Sequence, residues 1–220
     1  ATRTATFTPG NDAARKAAAK LNVPRIGVRF RLPAEMNVVE YFGRGPEENY
    51  IDRNAGSMVG RYKTIADSMY VDYVRPQENG HRTDARWVVL SDKSGRGLLV
   101  QADKTIGFNA LRNTIEDFDA EDSSRPYQWR NRSPEEIENH DLDEAKNAMR
   151  KMTHVNDIIP RDFVEVSVDM KQQGVAGYDS WGAKVQPGYT IPANQNYEWG
   201  FTFVPIRAKA DVDKSLRYDY

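Results

Sequence analysis

Three sets of residues in this 220-residue chain have types and spacings suited to chemistry. The first is a glycine-punctuated stretch, Gly174-Val175-Ala176-Gly177-Tyr178-Asp179-Ser180-Trp181-Gly182. Glycine lets a backbone bend sharply or approach a ligand closely. An indole on such a loop, anchored by a strand, offers a flat face for stacking on a sugar ring, with Tyr178 and Asp179 as neighbouring contacts. The alternative is structural: Trp181 plugs the end of a β-core, as buried tryptophans often do. The second set is carboxylate, Glu47-Glu48 and Glu78. Hydrolysis of a glycosidic bond needs two carboxyls, about 5–5.5 Å apart for retention and about 6.5–9.5 Å for inversion. With 32 acidic residues, nearness of two carries no weight. Adjacent side chains on an extended strand also point to opposite sides, so no catalytic pair is assigned. The third set is His81, His140 and His154. None is spaced from another as metal ligands are, so no metal site is assigned. His140-Asp141 reads as a solvated pair, whereas His81, just after Glu78-Asn79-Gly80, is a candidate border of a sugar pocket.

The elements that must position these residues read as strands. Val164, Val166, Val168 and Met170 alternate with Glu165, Ser167, Asp169 and Lys171, which predicts a half-buried strand leading into the Trp181 loop. From Arg25 to Leu32 the alternation is equally regular, with Ile26, Val28, Phe30 and Leu32 on one face and Arg25, Gly27, Arg29 and Arg31 on the other. Such order fits an antiparallel sheet with one wet face. Thr4–Phe7, Val38–Phe42, Arg86–Leu90, Gly97–Ala102, Gly107–Leu111 and Glu198–Val204 are further strands. In the last, Trp199, Phe201 and Phe203 share a face and read as core. Ser133, Pro134 and Glu136 mark a helix start by cap, first-turn proline and capping box, predicting about two turns from Pro134 to near Asn139. The Ala/Lys/Asn-rich Gly10–Asn22 reads as a loop with some helical character. The acidic stretches Glu116–Asp122 and Glu135–Glu144 read as solvated surface, and the charged tail from Arg207 is expected to fray. Many short strands and one short helix predict an all-β sandwich.

Composition narrows the function. A length of 220 residues with 39% hydrophobic content supports one sizeable core. The net charge of -1 argues against nucleic acid or an anionic membrane as the partner. The absence of cysteine excludes thiol chemistry, disulfides and cysteine-held metals. It does not fix the compartment. No apolar run approaches the roughly 20 residues of a membrane span. Ala1 in place of an initiator Met reads as a processed or excised chain. Gly43-Arg44-Gly45-Pro46 is no dinucleotide fingerprint, because proline and the acidic residues after it block a following helix.

Four segments, in order, carry a family resemblance. Pro24-Arg25-Ile26-Gly27, Tyr41-Phe42-Gly43-Arg44-Gly45-Pro46-Glu47-Glu48-Asn49-Tyr50-Ile51-Asp52-Arg53, Tyr73-Val74-Arg75-Pro76-Gln77-Glu78-Asn79-Gly80 and Asp179-Ser180-Trp181 resemble the "PRIG", "GxGPxENYxDR", "YVxPxENG" and "GGDDSW" segments of bacterial β-galactosidases of glycoside hydrolase family 2. The likeness runs from about Pro24 to about Val204 and is to the later part of their C-terminal β-sandwich, or small-chain, domain.

The resemblance implies an antiparallel, galactose-mutarotase-like supersandwich over residues 23–205. It is preceded by a partial edge strand and loop (1–22) and followed by a charged tail (206–220). It also implies a non-catalytic carbohydrate-binding domain of an enzyme that hydrolyses terminal β-D-galactosides, with Trp181 stacking on the entering sugar. Glu48, Asn49, Arg53, Glu78 and Asn79 then take structural or interdomain roles. The catalytic carboxylates, and any divalent cation, belong to a barrel outside this chain. The other domains of a parent enzyme, itself a homo-oligomer, and the galactoside are the implied partners, in the cytoplasm or periplasm of a bacterium. This chain has Ala176-Gly177-Tyr178-Asp179 where the family commonly has two glycines and two aspartates, which alters the loop's shape and polar contacts. The second class of reading is a free-standing mutarotase-like epimerase or sugar-binding module, in which His81 with Glu48 or Glu78 would do acid–base work.

Overall fold

The computed structural model describes residues 2–7, 21–118, 154–209 and 211–216. Among the described residues eight antiparallel strands run in chain order: β1 (Thr2–Phe7), β2 (Arg25–Pro33), β3 (Val38–Gly45), β4 (Met58–Ile65), β5 (Arg82–Ser91), β6 (Gly97–Leu111), β7 (Phe163–Gln172) and β8 (Tyr197–Ile206). They join in the order β1-β8-β6-β5-β3-β4, with β7 also paired to β6 and β2 paired to β7. The predicted helix at Pro134–Asn139 lies outside the described residues.

β6 is the branch point. Sequence predicts two strands there, and the structure makes one strand of 15 residues. Its first half, Gly97 to Ala102, pairs with β8, and its second half, Gly107 to Leu111, pairs with β7. The two halves thereby feed two layers. The layers meet where Phe30 of β2 sets its ring edge-on against Phe203 of β8, with centroids 5.3 Å apart. Between them lies the main core, including Val39, Tyr41, Val88, Leu90, Phe108, Val166, Val168 and Phe201. The result is the antiparallel sandwich that the alternating sequence predicts.

The alternation in β2 holds: Val28, Phe30 and Leu32 pack against the core while Arg29 and Arg31 are exposed. β7 differs from its sequence reading. Its polar face is also covered, with Glu165, Ser167 and Asp169 all buried. The reason is the register with β2, which sets Arg25, Arg29 and Arg31 against Asp169 and Glu165 as a ladder of ion pairs at 3.0–3.2 Å.

β4 escapes the sequence reading because glycine and basic residues interrupt its pattern and it pairs only with β3, at the sheet's edge. The acidic stretch from Glu116 is not all solvated surface. Asp117 and Phe118 are buried, Asp117 binding the Arg161 guanidinium at 2.6 Å.

The segment expected to fray holds a short helix, α1 (Asp211–Ser215). Its Val212, with Leu216 just beyond, joins Trp87, Val89, Leu99 and Ile206 in a second cluster. β5 is apolar on both faces: Val88 and Leu90 enter the main core, whereas Trp87 and Val89 need this second cover. Burying each aliphatic side chain of the helix contributes about 1.5–3 kcal/mol, enough to hold a segment rich in charge.

Candidate functional site: a tethered tryptophan loop

At the end of β7 the chain turns into the Trp181 loop. Asp179 organises its tip: the Oδ1 atom accepts from the Trp181 amide at 2.8 Å and the Ala183 amide at 3.1 Å. This is the local turn that a short acidic side chain forms with backbone ahead of it. The Tyr178 hydroxyl donates to the Lys184 carbonyl at 3.3 Å. Ala176, Gly177 and Gly182 adopt positive φ of 55°, 77° and 82°. The outcome is an indole 93% exposed, with Tyr178 64% exposed beside it. The plug reading of Trp181 is therefore wrong for this chain: the core closes without it.

The base of the loop is tied to the segment Glu47–Arg53. Asp52 accepts the Ala176 amide at 2.8 Å through Oδ2. That segment is in turn held by a network of polar contacts, though the Tyr50 hydroxyl and Asp52 Oδ1 are buried without a hydrogen-bond partner among the described residues. Asn49, fully buried, accepts from the Thr83 amide at 3.0 Å and the Thr83 hydroxyl at 2.5 Å, and donates to the carbonyls of Arg44 and Glu47. Glu48 accepts from Arg53 at 2.6 Å, from the Tyr73 hydroxyl, and from the Gly80 amide at 2.7 Å. Arg53 also bonds the Tyr73 hydroxyl at 2.8 Å and lies over the Tyr50 ring. Asn79 is buried, its side chain bonded to the Val71 amide and the Gln77 carbonyl.

Between this frame and the loop lies a cleft of about 830 Å³, whose walls include Arg25, Arg53, Glu78, Gln172 and the loop's base from Gly174 to Gly177. Arg25 bridges two acids there, Asp169 at 3.0 Å and Glu78 at 3.5 Å. Burial pushes the Asp169 carboxyl up to about 7, against the pull of Arg25 and with a further push from Glu78. Burial raises Glu78 too, with Arg25 opposing. His81 is 2% exposed and stacks on Tyr50 with centroids 5.4 Å apart. Burial, then Arg25 and Arg82, holds its pKa well below the ordinary histidine value. The ring is neutral, so its 3.8 Å approach to Asp169 is no ion pair.

The structure thus gathers Trp181, Tyr178 and Asp179 on one loop, and Glu48, Asn49, Arg53, Glu78 and Asn79 in the frame beneath it. His81 sits inside the sheet, without the open face that a sugar contact or acid–base work requires. Sequence reasoning passed over Asp52, Arg25, Asp169 and Gln172. Asp52 and Arg25 stand in segments whose type signalled importance, but only the fold shows that Asp52 reaches a loop 124 positions away. Among the described residues no group of three or more histidine or acidic side chains is placed to hold a metal ion. No helix there is long and apolar enough to cross a membrane.

Fold and site together define an all-β sandwich domain that presents an aromatic loop from a rigid polar frame. The family model of the β-galactosidase small chain matches residues 3–203, and the chain belongs to that family. It is 35% identical to a β-galactosidase of Priestia megaterium over 184 residues, which is 84% of this chain and 15% of that protein. It is 32% identical to a β-galactosidase of Halalkalibacterium halodurans over 180 residues, 81% of this chain and 15% of that relative. A Streptococcus thermophilus β-galactosidase is 28% identical over 186 residues, 84% of the chain and 15% of the relative. The chain therefore spans about 15% of the length of these relatives.

Proposed function

We propose that this domain serves a β-galactosidase of glycoside hydrolase family 2 by placing Trp181 at the entrance of an active site built elsewhere, where the indole stacks on the incoming galactoside. The single observation that carries the reading is the exposure of that indole, 93%, on a loop whose backbone is pinned by Asp179 and Asp52. The polar anchoring holds this exposed aromatic face in place, where a sugar ring can stack on it. Tyr178 and Asp179 flank the sugar. Glu48, Asn49, Arg53, Glu78 and Asn79 keep the frame rigid.

In this account the chain supplies no acid–base pair of its own. Glu48 is consumed by three donors, and Glu78 and Asp169 share Arg25. The catalytic carboxylates and any divalent cation reside in the barrel of the complete, oligomeric enzyme. The purified chain alone should not hydrolyse a chromogenic galactoside. A rate well above background that is lost on Glu48→Gln would overturn the assignment.

A further inference from the structure

We propose that Asp52 is the positioning residue of the Trp181 loop: its carboxylate fixes the loop's base to the frame and so sets where the indole stands. The contact is the 2.8 Å bond from the Ala176 amide to Asp52 Oδ2. Three observations make it more than an incidental hydrogen bond. Ala176 is a non-glycine residue at φ 55°, a conformation that L-residues avoid, so the amide is held in an unfavourable geometry by an outside partner. Gly174, two residues earlier, leaves room for the same carboxylate. A Cβ built there would meet Asp52 Oδ2 first, then Cγ at 2.5 Å and Cβ at 3.0 Å. The backbone on either side of Asp52 is held, because the Arg53 amide closes a turn onto the Tyr50 carbonyl at 2.8 Å and Tyr50 is buried against His81. Frame, carboxylate, glycine and loop amide therefore form one continuous mechanical link from the segment 47–53 to the strand exit at β7. Backbone bonds from the Gln173 amide to the Pro24 carbonyl and from the Gly174 amide to the Tyr189 carbonyl, each 2.9 Å, hold the strand exit; Asp179 orders the tip, and Asp52 supplies the side-chain anchor between them.

The consequence for sugar binding rests on the proposed role of Trp181, whereas the positioning itself does not. The test is hydrogen exchange followed by mass spectrometry in the complete protein that carries this chain, with galactoside hydrolysis measured alongside. Asp52→Ala should speed exchange over residues 176–183 by about tenfold or more, as loss of a charge-assisted bond implies, while β7 keeps its protection. Gly174→Ala, which forces the carboxylate away from the opposite side, should give the same local change. Asp52→Asn retains an acceptor oxygen and should restore most of the protection. The proposal fails if Asp52→Ala and Gly174→Ala leave the loop's exchange unaltered, or if exchange rises equally across β7 and the sheet. Should Asp52→Ala misfold, Gly174→Ala alone decides. Faster loop exchange with a raised KM supports both readings. Faster loop exchange with an unchanged KM keeps Asp52 as the positioning residue and removes the sugar-stacking role of Trp181.

Discussion

Arg25 on β2 donates through Nε to one oxygen of Asp169 on β7 at 3.0 Å, with Nη2 at ion-pair distance but making no hydrogen bond, and leaves the other oxygen of that buried carboxyl without a hydrogen-bond partner among the described residues. Burial outweighs the guanidinium, and the Asp169 pKa stands at about 7. The unfolded chain releases this proton near pH 3.9. Between about pH 4 and 7 the folded protein therefore binds a proton that the unfolded chain has lost, and stability falls as pH rises through that window. His81, depressed by burial, works in the opposite sense below its ordinary value. The comparison of Asp169→Asn with the native protein removes the aspartate's titration together with its coupling to Glu78. The difference in unfolding free energy should move in the variant's favour from pH 4 to pH 7, by at most about 1.4 kcal/mol per pH unit. Urea melts at three or four pH values give the slope, and a flat difference would show that the carboxyl ionises normally.

Asn49 tests the frame. It has no exposed surface, and both its carbonyl oxygen and its amide are bonded. Asn49→Ala strands the Thr83 donors and two carbonyls, and should cost about 2–4 kcal/mol of folding stability. Equilibrium denaturation measures it. A loss below about 0.5 kcal/mol, the range of ordinary surface changes, would mean that the segment 47–53 is held by other contacts.

Ala176 tests the loop's departure from the family pattern. At φ 55° a Cβ is unfavourable by roughly 1–2 kcal/mol relative to glycine. Ala176→Gly should raise stability by about 0.5–1 kcal/mol, part of the relief being offset by the larger entropy that glycine loses on folding. A destabilised variant would show that the methyl group makes packing contacts outweighing the strain.

The strands that build the sandwich were legible because their side chains alternate under a simple rule: β2 buries one face, and β8 turns Trp199, Phe201 and Phe203 together toward the main core. β7 was legible as a strand but not in its burial, since nothing local announces that Glu165 and Asp169 will face arginines from another strand. α1 was missed because two apolar residues in a charged tail carry no period, and its cover is needed only where Trp87 and Val89 lack one. At the site, Trp181 and its loop announced themselves through glycines and an aromatic residue. The link from Asp52 to Ala176 did not, because a hydrogen bond spanning 124 positions leaves no mark in local spacing.

The central claim is that Trp181 belongs to the sugar and not to the core. The direct measurement is galactoside hydrolysis by the complete enzyme carrying this chain, native and Trp181→Ala, with the melting temperature of each. An aromatic stacking face is worth on the order of 1–2 kcal/mol, so KM should rise about 5- to 30-fold. The melting temperature should stay within about 1 °C, as expected for a side chain outside the core. An unchanged KM, or a melting temperature lowered by several degrees as core tryptophan losses produce, would contradict the account.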